Sequence, residues 1–343
     1  MEIPNETFVL DGITINDPHT VENLRLFILT GRENILGKPY KVLSEAMSQK
    51  QVDVKETGSV NQLTIDNNGD DHVFIHSGDI LKGGKQDRTI AYDVIIPPRA
   101  QNIPLESFCV EQGRWEQRAD EEVVAFSSNS KMLSSKDLKL AAKHDKNQGR
   151  VWSKVSEQKT HLNEKLSVKN GYAINVADEV SETSLQLALE NEELSKAKEA
   201  YHDALKDLID TPDALGYAYA INGEIHGVEI YNNTRLFKDL WDKILESVVV
   251  EAIGKEGEES STPKTKKDVL DFMKAGKSND KKTVKKLNRL TNFETLENKA
   301  GHLVFTTTDL EWKKWVHKSF MEVDTTTYDR KMGVDNMRFQ NHE

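Results

Sequence analysis

The chain has a single cysteine, Cys109, in 343 residues, which excludes an internal disulfide framework and any zinc site built from several thiolates. Stability must therefore come from packing. No stretch approaches about 18 uninterrupted apolar residues, so no membrane-spanning helix is expected. The opening Met1-Glu2-Ile3-Pro4-Asn5-Glu6 lacks the basic-then-apolar order of a secretory signal, and a cytoplasmic location is expected. Positive charge is in deficit: 46 Lys and Arg stand against 57 Asp and Glu, a net charge of −11. That balance opposes general binding to nucleic acid or anionic membrane, because such association needs cations to displace phosphate counterions. A Gly-rich dinucleotide fingerprint and a Ser/His/Asp arrangement are also missing, so no particular reaction is written in the sequence.

What is present is an ordinary globular composition, 37% apolar and 30% charged, with length enough for one large core or two smaller ones. Up to about residue 126 the local pattern is mostly strand: Phe8 to Leu10, Leu24 to Leu29, Val52 to Val54, Leu63 to Ile65, Val73 to Ile75, Arg88 to Ile96 and Leu105 to Val110. Asn67-Asn68-Gly69-Asp70-Asp71 marks a hairpin turn, Pro97-Pro98 stops a strand, and residues 40 to 49 offer one short helix. From Ser135 the spacing turns helical, first over Leu138 to Lys143 and Val151 to Leu162, then over a run from about Ser184 to Ile209 whose Leu194, Ala197, Tyr201, Ala204 and Leu208 form one stripe. Asn222-Gly223 between two strand-like runs signals a hairpin, since both turn residues tolerate positive φ. Leu236 through Ala252 repeats apolar residues over a wide helical face. Leu303 to Phe305 and Trp315 to His317 read as last strands that rejoin the first sheet. The expectation is one α+β domain over residues 1–343, with a β-rich, sandwich- or barrel-like N-terminal half, helices packed on it and a basic helical insertion over 255–300; a split near residue 130 is the alternative.

The densest cluster of polar residues lies between two strands, Ser77-Gly78-Asp79-Ile80-Leu81-Lys82-Gly83-Gly84-Lys85-Gln86-Asp87-Arg88. Glycines allow close approach of backbone amides, and the flanking cations point to an anion. The turn is not a Walker motif: Asp79 stands where a glycine is needed, Gln86 where Ser or Thr is needed, and a strand follows instead of a helix. Alternation places Arg88 on the apolar face with Ile90, so it points inward at the rim and needs an anion or a carboxylate, with Asp79, Asp87 and Glu111 the internal candidates. A second cluster, Cys109-Val110-Glu111-Gln112-Gly113-Arg114-Trp115, can present a carboxylate, a guanidinium and an aromatic plane together. The alternative is a structural Arg114–Glu111 pair with Trp115 in the core. Cys109, alone on a strand, reads as a core residue.

The first cluster with its continuation Thr89-Ile90-Ala91-Tyr92-Asp93-Val94-Ile95-Ile96-Pro97-Pro98, the second cluster, Gly216-Tyr217-Ala218-Tyr219-Ala220-Ile221-Asn222-Gly223-Glu224-Ile225-His226-Gly227-Val228-Glu229-Ile230-Tyr231 and the run Leu236 to Ser247 resemble the ADP-ribosylglycohydrolase and rhodanese-phosphatase-superfamily-associated protein domain, a bacterial family, over about residues 5 to 320. The resemblance implies an α+β domain linked through gene association to ADP-ribose- and phosphate-processing enzymes, and so to NAD or ADP-ribose metabolism. Gly83, Gly84, Gln86, Arg88, Glu111, Gly113, Arg114 and Trp115 match its signature positions.

Two other features carry less. From Lys264 to Arg289, ten basic residues face only Asp268, Asp271 and Asp280, but Phe272 is the sole interleaved aromatic, so nucleic-acid contact is expected there or nowhere. His72 and His76 are four apart, yet on a strand that puts them about 13 Å apart, too far to share a metal ion. No metal site is expected, and the cofactor is left unspecified. The leading expectation is a small anionic, nucleotide-like ligand. Lys82, Lys85, Arg88 and Arg114 would hold its phosphate alongside Gly83, Gly84 and Gln86, Trp115 would stack, and Glu111 would serve as candidate acid or base. A non-catalytic interaction scaffold is the alternative.

Overall fold

A computed structural model describes residues 8–111, 126–176, 185, 191–257 and 262–323. The fold is α+β, built on three sheets. A nine-stranded antiparallel sheet runs in the order β1 (Val9–Leu10), β2 (Ile13–Val21), β3 (Leu24–Gly31), β13 (Ala214–Ile221), β14 (Glu224–Tyr231), β18 (Lys314–Glu322), β17 (His302–Asp309), β16 (Thr291–Glu297) and β15 (Lys281–Lys286). The C-terminal strands thus rejoin the sheet begun at the N-terminus, because β18 pairs with β14. A six-stranded sheet is ordered β12 (Phe126–Leu133), β8 (Asp79–Gly83), β9 (Arg88–Ile90), β11 (Ile103–Cys109), β6 (Gln62–Asn67) and β5 (Val52–Glu56). Between them sits a small sheet of β10 (Val94–Ile96), β7 (His72–Ile75) and β4 (Tyr40–Val42).

Helices α1 (Leu43–Ser48), α2 (Lys136–Lys143), α3 (Gln148–Asn170), α4 (Glu192–Leu205), α5 (Thr234–Gly254) and α6 (Lys266–Lys277) complete the described fold. The period-2 alternation of β3 feeds both faces of the large sheet: Leu24, Leu26 and Ile28 enter the main core, whereas Phe27 and Leu29 enter a second one. α5 covers the first face with Leu236, Phe237, Leu240, Trp241 and Ile244, and its N-cap Asn233 accepts the Leu236 amide at 2.7 Å. α6 covers the second face with Val269, Leu270 and Met273. A capping box of Thr265 and Asp268 starts it. No helix among the described residues is long and apolar enough to cross a membrane.

Among the described residues, the segment expected to be helical over 255–300 is helical only in α6; beyond it β15 and β16 form a hairpin at the sheet edge. The helical stripe of α4 turns slightly from the expected one, since Leu205 is buried where Ala204 is exposed. The expected single strand from Arg88 to Ile96 is broken. β9 belongs to the six-stranded sheet and β10 to the small one, and Ala91-Tyr92-Asp93 makes the step between them. The neighbouring strand makes the same step: β7 ends in the small sheet, β8 starts in the larger one, and His76-Ser77-Gly78 joins them. Gly78 takes a φ of +91°, and a Cβ there would lie 2.8 Å from the Lys139 stem, so the step accepts only glycine without movement. These paired steps put polar groups at the centre of the molecule.

Candidate functional site

The two sheet-switching steps are stitched to each other. The Ser77 amide donates to Asp93 Oδ1 at 2.7 Å, the Ser77 hydroxyl to the Ala91 carbonyl at 2.8 Å and the Gly78 amide to the Ile90 carbonyl at 2.8 Å. Asp93 Oδ2 then accepts from the Thr307 hydroxyl and from His317 Nδ1, both at 2.8 Å. His317 is on β18, next to Tyr231 of β14 in register, and its ring stacks on the Tyr231 ring at 4.4 Å. Its Nε2 lies 2.7 Å from Glu229 Oε2, off-line for a hydrogen bond, so the contact is an ion pair. Lys139 of α2 approaches the other Glu229 oxygen at 3.7 Å. His76 closes the ring: its Nδ1 donates to the Ser77 carbonyl at 2.6 Å and its Nε2 accepts from the Tyr231 hydroxyl at 2.8 Å. Asp79 accepts the His76 amide at 2.9 Å and pairs with Lys243 of α5 at 2.6 Å.

All of these side chains are buried, and their protonation follows from their neighbours. Burial pushes His76 down to about 4, so its imidazole is neutral and the tautomer above is the one its partners require. Burial alone would do the same to His317, but Asp93 and Glu229 outweigh it and raise His317 to about 9, an imidazolium held between two carboxylates. Burial opposes ionisation of Glu229 and Asp93, yet Lys139 and His317 hold Glu229, and His317 holds Asp93, well below the ordinary carboxylate range. The carboxylates of Asp79, Asp93 and Glu229 thus face four cations, namely Lys139, Lys143, Lys243 and the His317 imidazolium.

Lys143 is the member without a contact carboxylate. Its side chain leaves the last turn of α2 between the network and a cavity of about 170 Å³, within electrostatic reach of Glu229 and Asp93. Its Nζ sits 4.1 Å from the centroid of the Phe305 ring and has no hydrogen bond or ion pair with any described residue. Burial pulls its amine down to about 8, with Lys139 adding to the effect and Glu229 and Asp93 opposing it. Around the cavity stand Lys146, Lys281 and Lys285 with Tyr92 and Phe293. A second cavity of about 400 Å³ shares Tyr92, Lys146 and Lys285 and adds Lys286. Lys285 caps the Tyr92 face at 4.6 Å and reaches Glu106, while Lys281 pairs with Glu297 at 3.2 Å. Such exposed pairs contribute little and yield readily to a ligand.

His76, Glu229 and His317 also form the one set of possible metal ligands brought together among the described residues, with donor atoms within 4.8 Å of one another. A dication there would displace the His317 proton and face Lys139, whereas the observed charges already satisfy one another.

The residues singled out from sequence lie elsewhere. Cys109 and Arg88 are paired across β11 and β9, and the Val110 amide donates to the Asp87 carbonyl, so the two motif segments meet. Gly83, Gly84, Gln86, Arg88 and Glu111 are buried there, Lys82 is half-buried and Lys85 is exposed. Arg88 points inward as expected, but its carboxylate is Glu56, at 3.2 Å, a residue none of the sequence patterns singled out. Glu56 also accepts the Lys85 amide at 3.3 Å, Gln86 donates to the Glu111 carbonyl at 3.1 Å, and Asp87 accepts the Gly83 amide at 3.1 Å. Gly113, Arg114 and Trp115 lie outside the described residues. Cys109 is buried and burial raises its thiol, so it is held protonated. His72 pairs with Glu311, and His226 is oriented by Glu251 at 2.8 Å beside a wide cavity of about 750 Å³ that mixes charges of both signs.

The fold and this centre define an α+β domain with a buried ionic network opening onto a lysine- and aromatic-lined pocket. The ARG and Rhodanese-Phosphatase-superfamily-associated Protein domain matches residues 12–321, and the chain belongs to that family. No curated protein and no solved structure matches it. The blocks that carry the resemblance contain Asp79, Asp93, Glu229 and Tyr231, so the family's recognisable sequence converges on the buried network.

Proposed function

We propose that this protein binds a small phosphorylated ligand of the ADP-ribose or NAD class, with its anionic group in the pocket over Lys143. The observation that carries the reading is Lys143 itself: a buried lysine whose amine meets no acid, at the floor of a cavity ringed by Lys146, Lys281 and Lys285. A buried cation that Glu229 and Asp93 offset only at a distance is costly, and an incoming anion lowers that cost. The family's association with ADP-ribosylglycohydrolase and rhodanese-phosphatase superfamilies points to the same ligand class. Thermal-shift and calorimetric titration with ADP-ribose and with inorganic phosphate test this. Both should stabilise the wild type, and the double variant Lys146→Ala/Lys285→Ala should lose at least about tenfold in affinity. Equal binding by wild type and variant removes the reading.

The internal bonding of the Gly-Lys turn favours a second reading of that segment, as a structural clamp in place of a phosphate cradle. Arg88→Ala should then lower the melting temperature without ligand, by leaving Glu56 unpaired in a mostly buried setting, and leave the ligand-induced shift unchanged. Loss of the ligand shift in Arg88→Ala would return the turn to the binding site.

A further inference from the structure

We infer that Lys143 is a nucleophilic amine that forms an imine with the carbonyl group of a phosphorylated aldehyde. The inference rests on the anion-pocket reading above and names the substrate class for that same site.

Three observations carry it. The amine is held over an aromatic face and not at a carboxylate, so its lone pair is not committed to a partner when the proton leaves. Its position is fixed, because α2 is packed with Leu138, Leu140, Ala141 and Ala142 buried and the Tyr92 hydroxyl donates to the Lys143 carbonyl at 3.4 Å. Its setting joins the two conditions that activate a lysine, desolvation and a neighbouring cation, here Lys139. Burial lowers the amine to about 8, so a useful fraction is unprotonated near neutral pH. The cations at the rim, Lys146, Lys281 and Lys285, divide the labour: they hold a phosphate at the mouth while the amine at the floor meets the carbonyl carbon. A cavity of about 170 Å³ selects a short-chain substrate at that depth, and the adjoining 400 Å³ space leaves room for a larger group attached to the phosphate.

The step balances without an oxidant or reductant. Lys143 Nζ adds to the carbonyl carbon, a proton passes from nitrogen to the former carbonyl oxygen to give a carbinolamine, and loss of water leaves a carbon–nitrogen double bond. Glu297 and His144 line the same cavity, and Asp145 and Glu297 beside His144 raise its imidazole above the ordinary value.

The test uses the whole protein with glycolaldehyde phosphate, unphosphorylated glycolaldehyde as control and borohydride as trap, read by peptide mass spectrometry. A single reduced adduct on Lys143 is expected, half-saturating at a concentration at least about tenfold lower for the phosphorylated aldehyde. Lys143→Arg, which keeps the charge, should abolish the adduct while the melting temperature without ligand stays close to that of the wild type. Adducts spread over exposed lysines, or an unchanged adduct yield in Lys143→Arg, overturn the inference. Phosphate binding by the wild type with no adduct sinks the imine alone and leaves the pocket reading standing. Absence of both removes the two together.

Discussion

At the residue scale the decisive positions are charged or polar side chains set in apolar strands. Glu229 lies between Val228 and Ile230, Asp93 between Tyr92 and Val94, and His317 between Val316 and Lys318. Each is buried, and each is stable there only because the others are present. Glu229→Gln should therefore cost roughly 3–5 kcal/mol in urea unfolding, since Lys139 and the His317 imidazolium lose their shared counter-charge. A cost within the range of a surface substitution would show that the network is not ionised. Gly78→Ala should also destabilise, since its positive φ and the 2.8 Å approach of Lys139 leave a methyl group no room. The sequence did hold a signal for these residues: a charge inside a run that is apolar on both faces. The spacing of His76 from its near neighbour His72 does not reveal it, because Tyr231, whose hydroxyl His76 accepts, is 155 residues away.

At the scale of elements, local periodicity was a good guide where one element buries one face. The Asn222-Gly223 turn has positive φ at both residues, and the helix expected from Leu236 is α5. Leu240→Ala should cost about 2–5 kcal/mol, because its side chain fills the core between α5 and the large sheet. Val284→Ala, at 56% exposure on edge strand β15, should change stability by no more than about 0.5 kcal/mol. Chemical denaturation of both variants checks the contrast. β15 falls within the expected helical insertion because Lys281-Lys282-Thr283-Val284-Lys285-Lys286 carries too few apolar residues to show a period. Pairing with β16, not propensity, makes it a strand. The steps from β7 to β8 and from β9 to β10 were equally hidden, since a strand that changes sheets keeps a strand-like composition throughout.

For the whole molecule, the network makes stability depend on pH in opposite senses on its two sides. His317 is raised from an ordinary 6.5 to about 9, so its contribution is complete below pH 6.5 and is lost as the pH climbs through 9. His76 is lowered from 6.5 to about 4, so below pH 6.5 the unfolded chain takes up a proton that the folded one refuses, and stability falls with pH. Lys143, lowered from 10.5 to about 8, carries a charging penalty below pH 8 that is relieved as the pH rises toward 10.5 and partly offsets the His317 loss there. The melting temperature should peak near pH 6.5, and His317→Gln should flatten the fall between pH 6.5 and 8. An unchanged alkaline limb in that variant would assign the dependence to other groups.

By itself the sequence determined the α+β class, the return of the last strands to the first sheet and the family, because each is encoded by neighbours in the chain or by contiguous motif blocks. Only the tertiary structure decided where the charges gather. Asp79, Asp93, Lys143, Glu229, Lys243 and His317 come from different elements, and the electrostatic reason to unite them exists only once three sheets and two helices have shut out water.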